Sequence, residues 1–161
     1  LLNPAIIQIN IENNSAARKI QGASNKEDNI TLQLSEGNVN DIELKDNLGL
    51  ILTTPENSDN QNSSKIGNIK TQYGSISANV SGVEINKIKT KNASLDLNAK
   101  NSTISNIENK NCNGKTSVNF EGVTLDKISS KSVCDINLDK CSVNKNLIAS
   151  NYDDNIVIDN S

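Results

Sequence analysis

Four groups of side chains in this chain of 161 residues have types and spacings that could do chemistry. The first is acidic. Asp135, Asp139, Asp153, Asp154 and Asp159 concentrate near the C-terminal end. Clustered carboxylates can act as general acid and base, and β-helical polysaccharide lyases and hydrolases use them beside Lys or Arg. Those enzymes have longer coils whose loops build a cleft. Here the long polar loop is 53–65, and Arg18 is the sole arginine. A solvated acidic end is the plainer reading. Calcium-binding Gly-Gly-x-Gly-x-Asp repeats and an EF-hand loop are absent from the sequence.

The second group is Cys112, Cys134 and Cys141. Three cysteines suit neither a disulfide framework nor a four-ligand zinc site. The chain contains no histidine, which excludes a His-based metal site or triad, and no cofactor is expected. Small buried thiols are the expectation, with a Cys134–Cys141 disulfide as the alternative. The third group is Lys91, Lys110 and Lys131, which recur at i, i+19 and i+40. A structure with that repeat stacks them on one edge, about 5–10 Å apart, where like charges repel mildly in water. Such an edge can bind an anionic polymer such as teichoic acid. The competing reading is a device that keeps an exposed β-edge soluble.

The fourth group is uncharged for the most part. Asn79, Asn98 and Asn119, followed by Asp139 and Asp159, run beside Ser77, Asp96, Ser117 and Asn137. A flat polar face of this kind suits a glycan or ice. It lacks the regular threonine ladder of ice binders and the aromatic platforms of glycan binders, so an amide ladder that braces a sheet is expected. Asn-x-Ser/Thr triplets at Asn13, Asn29, Asn62, Asn92 and Asn101 carry no weight, because the chain has 29 asparagines.

Some larger framework must place these groups. Hydrophobic residues make up 34% of the chain and aromatics 2%, namely Tyr73, Phe120 and Tyr152. The core must therefore be aliphatic. The net charge of −3, with no basic patch interleaved with aromatics, argues against nucleic-acid binding. No apolar run approaches the ~18 residues of a membrane-spanning helix. The chain opens Leu-Leu-Asn-Pro and has no Met, which suggests a mature protein or part of a larger one, so missing targeting signals mean little.

The framework is a repeat. Ile85 and Ile104 follow Ile66 at i+19 and i+38, and Leu125 and Val143 extend the column at nearly the same interval. Val39 precedes Ile66 by one repeat plus an insertion within 53–65, and Ile20 precedes Val39 by one repeat. A second column holds Ile42, Ile69, Ile88, Ile107, Ile128 and Leu147. A third is a short alternating strand: Ile30-Leu32-Leu34, Ile76-Ala78-Val80, Leu95-Leu97-Ala99, Val118-Phe120, Ile136-Leu138 and Ile156-Ile158. Two residues past each column-two position stands Leu44, Thr71, Thr90, Asn109, Ser130 or Ala149. Alternation turns these inward too, at a tight corner.

A repeat this short has room for two or three short strands and one- or two-residue corners. It cannot hold a strand plus a normal helix. The expected fold is all-β: a single-stranded, right-handed parallel β-solenoid (β-helix) of about seven coils, one domain over 1–161 with repeats over about 20–160. Coils about 4.8 Å apart share one continuous core, so each needs only four or five apolar residues, and seven coils make a rod of roughly 34 Å.

The segments "IKTQYGSISANVSG", "IKTKNASLDLNAKN" and "ISSKSVCDINLDKC" resemble the repeats of a bacterial adhesin family of β-solenoid domains: an apolar residue, a Thr- or Ser-rich corner, a small residue, then a short alternating strand. The resemblance spans about Ile20 to Asn160. The family's usual Ser-Gly-Asp-Ile corner is reduced here to Gly74-Ser75-Ile76 and Val133-Cys134-Asp135-Ile136. The resemblance implies a non-enzymatic module on or near a bacterial envelope, cell-surface or secreted, and carries over no catalytic residues. An anionic cell-wall polymer, a glycan or a protein are the partner classes that follow. A carbohydrate-active β-helix enzyme and a cytoplasmic scaffold polymerising end to end are the alternatives.

Overall fold

The computed structural model describes residues 6–55, 64–110, 114–149 and 154–160. Among them there is no helix, and fifteen strands alternate between two parallel sheets. The first sheet holds β1 (Ile6–Glu12), β3 (Asn29–Ser35), β5 (Gly49–Thr53), β7 (Ile76–Ser81), β9 (Leu95–Lys100), β11 (Lys115–Glu121), β13 (Val133–Asp139) and β15 (Asn155–Asp159). The second holds β2 (Ala16–Ser24), β4 (Asn38–Asp46), β6 (Ser64–Thr71), β8 (Val83–Thr90), β10 (Thr103–Asn109), β12 (Thr124–Ser130) and β14 (Ser142–Ala149). Each coil contributes one strand to each sheet. The chain is a β-solenoid of about seven turns.

The inward columns stack as the repeat requires. Ile66, Ile85 and Ile104 pair in succession, as do Ile69, Ile88, Ile107 and Ile128. All are almost completely buried. Each gains stability twice, by leaving water and by packing against like positions above and below. Phe120 lies over Ala99 in the next coil, a large-over-small pairing that fits the one ring into an aliphatic stack.

Three details differ from the sequence expectation. The strands are five to nine residues long, longer than the short strands expected, with two to a coil and the first two columns on one of them. In β8 the burial runs Ile85 in, Asn86 and Lys87 out, Ile88 in. The ladder skips one residue there, pairing Ile104 with Ile85 and next Asn106 with Lys87. The strand bends at Asn86 without ending, so two successive residues face water and both isoleucines face the core.

The second difference is register. Asn79, Asn98 and Asn119 do stack, but Asn137 and Val157 continue that column. Asp139 lies instead on Glu121, and Asp159 on Asp139. The first inward position of β11 is Thr116 and that of β13 is Cys134, both fully buried. A hydroxyl at the start of β11 and a thiol at the start of β13 hid those positions from a count of Ile, Leu and Val. Third, β14 carries an extra residue: Leu125 pairs with Val143, but Lys127 pairs with Asn146. That bulge explains why Val143 and Leu147 are four apart.

Each coil turns two corners. At the first, from sheet one to sheet two, the left-handed conformation recurs: Asn13 (φ 56°) and Asn14 (64°) together after β1, then single residues at Glu36 (54°), Gly82 (66°), Asn101 (48°), Gly122 (64°) and Lys140 (52°). In alternate coils the next amide is capped by a side chain of the following coil. Gly37 N–H donates to Ser64 Oγ (3.3 Å), Val83 N–H to Ser102 Oγ (3.2 Å), and Val123 N–H to Cys141 Sγ (3.5 Å). At the second corner, from sheet two back to sheet one, the inward side chain changes along the rod. It is Leu44 early, then Thr71, Thr90, Asn109 and Ser130, all buried. The terminal coils leave Ile7, Ile156, Val157 and Ile158 about half exposed.

Candidate functional site: a lysine-lined face

Strand alternation decides which residues leave the second sheet outward. Counting from the bend, three outward positions repeat in every coil. The first reads Lys19, Asp41, Asn68, Lys87, Asn106, Lys127. The next reads Gln21, Glu43, Lys70, Lys89, Glu108, Ser129. The third, at the second corner, follows the inward Leu44, Thr71, Thr90, Asn109 and Ser130 by one residue. It reads Lys45, Gln72, Lys91, Lys110, Lys131.

The three lysines singled out by spacing do stack there. Lys91 N–H donates to Thr71 O (3.3 Å), Lys110 N–H to Thr90 O (3.3 Å) and Lys131 N–H to Asn109 O (3.1 Å). All three side chains are exposed. Lys110 Nζ lies 3.8 Å from Glu108 Oε1, and among the described residues Lys91 and Lys131 take part in no ion pair of this kind. Spacing alone missed their company. Lys45 belongs to the same column, and Lys70, Lys87, Lys89 and Lys127 occupy the flat face beside it. The signal was present in Lys87, Lys89 and Lys91, where alternation puts every second residue on one face, but neighbours from other coils meet them only through stacking.

Lys19, Lys45, Lys70, Lys87, Lys89, Lys91, Lys110, Lys127 and Lys131 face outward against Asp41, Glu43 and Glu108: nine cations to three carboxylates in a chain of net charge −3. The carboxylates are already engaged. Glu43 meets Lys19 at 3.1 Å. Its carboxyl is held below the usual range first by the Lys19 hydrogen bond and charge, then by Lys45 and Lys70. Glu108 lies 3.6 Å from Lys87 and 3.9 Å from Lys89. Asp41 accepts Asn68 Nδ2–H at 3.0 Å. Partial burial, followed by the like charges of Lys110 and Lys87, pulls the Lys89 ammonium below the ordinary lysine value, with Glu108 opposing. Two shallow depressions open on this face, of about 390 Å³ between Lys19, Glu43, Lys70, Lys87 and Lys89, and about 350 Å³ between Lys45, Lys70, Gln72 and Lys91. Lys70 stands between them.

The other candidates separate. Cys134 and Cys141 are free, buried thiols near opposite ends of β13. That separation is more than about 15 Å along a strand, against a Cα limit of about 7 Å for a disulfide. Burial raises the pKa of both. Cys141 occupies the capping position that Ser64 and Ser102 fill in other coils. Cys112 lies outside the described residues. Asp135 pairs with Lys115 at 3.6 Å, and Asp154 accepts Cys134 N–H at 2.8 Å. Asp153 lies outside the described residues. The asparagine column is partly self-bonded, Asn137 Nδ2–H donating to Asn119 Oδ1 at 3.2 Å.

Among the described residues no group of three His, Cys, Asp or Glu side chains is placed to hold a metal ion, and no helix is long and apolar enough to cross a membrane. No family model, no curated protein and no solved structure matches the chain.

Proposed function

We propose that this chain is a non-enzymatic structural and binding module of a bacterial envelope protein, secreted or at the cell surface, whose Lys91–Lys110–Lys131 edge holds an anionic cell-wall polymer. The observation that carries this reading is the stacking of three exposed lysines on consecutive coils, about 4.8 Å per step. A polymer with regularly spaced anions meets a matching row of cations. A parallel β-solenoid suits the task, because the hydrogen-bonded ladders fix the backbone of each lysine relative to the next, so little order is lost on binding. The attraction is between exposed charges and is screened within about 10 Å at 0.1 M salt.

The test is retention on immobilised anionic wall polymer at low and high salt, comparing the wild type with Lys91→Gln/Lys110→Gln/Lys131→Gln. Retention of the wild type at low salt, lost at high salt and lost in the triple variant, is expected. Equal retention of both proteins removes the edge as the site. A second reading, a scaffold that extends end to end, draws on the half-exposed Ile7, Ile156, Val157 and Ile158 at the terminal coils. Sedimentation that grows with protein concentration and is unaffected by salt would favour it.

A further inference from the structure

The proposed edge is the rim of a larger site. We propose that the anion-binding surface is the outer face of the second sheet from the bend to the corner, centred on Lys70, and that its ligand is a single linear polyanion lying along the solenoid axis across at least three coils. This rests on the reading above and extends it from the corner to the flat face.

Three independent observations support the extension. The first is segregation: most of the chain's lysines share one face in a protein whose overall charge is negative. The second is shape. Both depressions on this face are lined by lysines, and they share Lys70 together with Glu43, which Lys19 already engages. Each depression runs over the coils of β4, β6 and β8, so a polymer lying along the axis passes Lys87, Lys89 or Lys91, then Lys70, then Lys45. The third is the state of the lysines themselves. Glu108 serves Lys87, Lys89 and Lys110 at once, so one carboxylate neutralises only a third of the charge around it. At Lys89, partial burial first and then the neighbouring Lys110 and Lys87 disfavour the charged ammonium. Bound anions relieve that repulsion, and a polymer supplies several for the entropy cost of one molecule.

The axial direction follows from the stacking. Within a coil, the outward positions on this face number about three and end at the corner. Along the axis they recur in every coil. A short oligoanion reaches only one or two rungs, whereas a chain of tens of units reaches all of them. Glu43 and Glu108 then act as built-in competitors that hold the lysines until a polymer displaces them.

The experiment uses long-chain linear polyphosphate as probe, with tripolyphosphate and duplex DNA as comparison ligands, and measures affinity against salt concentration. Lys70→Gln/Lys87→Gln/Lys89→Gln is compared with the corner triple variant and with Glu43→Gln. All these side chains are at the surface, and unchanged thermal unfolding checks each fold. The proposal expects the face variant to lose at least tenfold in affinity and the salt slope to fall by about one per lysine removed. It expects Glu43→Gln to bind two- to threefold more tightly, and tripolyphosphate to bind far more weakly than the long chain. If the corner variant loses binding while the face variant and Glu43→Gln match wild type, the face is overturned and the corner reading survives. If the face variant alone loses binding, the face stands and the corner reading falls. Wild type that ignores polyphosphate overturns both. Tripolyphosphate as strong as the long chain overturns the axial polymer, and preference for duplex DNA overturns the ligand class.

Discussion

The second corner is built in two ways within one rod. In the early coils its interior is apolar: Leu44 and Leu48 are buried there, and Leu48 Cδ2 crowds against Gly22. In the later coils the same place holds a hydroxyl and amide network. Asn109 Nδ2–H donates to Ala93 O (2.9 Å), Thr116 Oγ1 (3.1 Å) and Ser132 Oγ (3.3 Å). Thr116, Ser130 and Ser132 bond one another at 2.8–3.0 Å. Between the two regions, Thr71 and Thr90 share one hydroxyl bond of 2.9 Å. Polar side chains survive full burial here because their partners stack with them, which removes the usual penalty. Outside the corner, lysines line both regions alike. The exterior column is therefore independent of what lies beneath it, as expected if it answers to solvent or to a ligand and not to packing.

The harshest way to break this contrast is to place a charge where neither solution exists. Ile88 sits at the flat centre of the second sheet among isoleucines, so Ile88→Asp should cost several kcal/mol, about 4 or more. Lys89→Asp, one residue on and facing out, should cost well under ~1 kcal/mol. Urea unfolding of both variants checks the pair, and equal midpoints would mean that the inward and outward phases are misassigned.

A milder exchange swaps the two interiors. Asn109→Leu should destabilise by about 2–3 kcal/mol, because Ala93 O and two hydroxyls lose their donor in a closed space. Leu44→Thr should cost less, about 1–2 kcal/mol: apolar contact is lost, but Thr71 is its direct partner in the next coil and offers a hydroxyl. Calorimetric unfolding of the two variants decides it. If Leu44→Thr is the worse change, the network extends less readily than its geometry suggests.

The smallest effect sharpens the comparison with the first corner, where backbone conformation matters more than side-chain chemistry. Lys140 holds φ 52° with a β-carbon, whereas Gly122 holds φ 64° without one. Lys140→Gly should therefore gain up to about 1 kcal/mol, and Gly122→Lys should lose at least as much, because its β-carbon would also meet Asn101 Oδ1 at 2.8 Å, read as opposite shifts in melting temperature.

Much of the fold was legible because a solenoid writes its core as periodicity. The columns of Ile66 and Ile69 are apolar in every coil, and period alone aligned them. Register failed where chemistry departed from that code. Cys134 starts β13 at a core position, so a strand read from Ile136 sits two residues late, whereas β11 keeps its register through Asn119 although Thr116 fills its first core position. The bend at Asn86 puts two outward residues in a row, which strict alternation along a strand does not anticipate. At the candidate site, Lys91, Lys110 and Lys131 were found because they recur at the repeat length. Lys70 and Lys89 also lie one repeat apart in one column, a legible signal that the count of corner lysines passed over, whereas Lys87 joins Lys70 only when coils stack.

The insertion within 53–65 makes one coil longer than its neighbours, yet Val39 meets Ile66 as squarely as Ile66 meets Ile85. Closing the longer loop costs about 0.3 kcal/mol more by the logarithmic dependence of closure entropy on length. That is far less than one buried isoleucine contributes. Folding therefore meets no kinetic seam at this point. Every partner lies one coil away, any neighbouring pair can nucleate, and ordering spreads rung by rung in both directions. The insertion is thus the place where the chain can gain or lose residues with least effect on how fast, or in what order, the rod assembles.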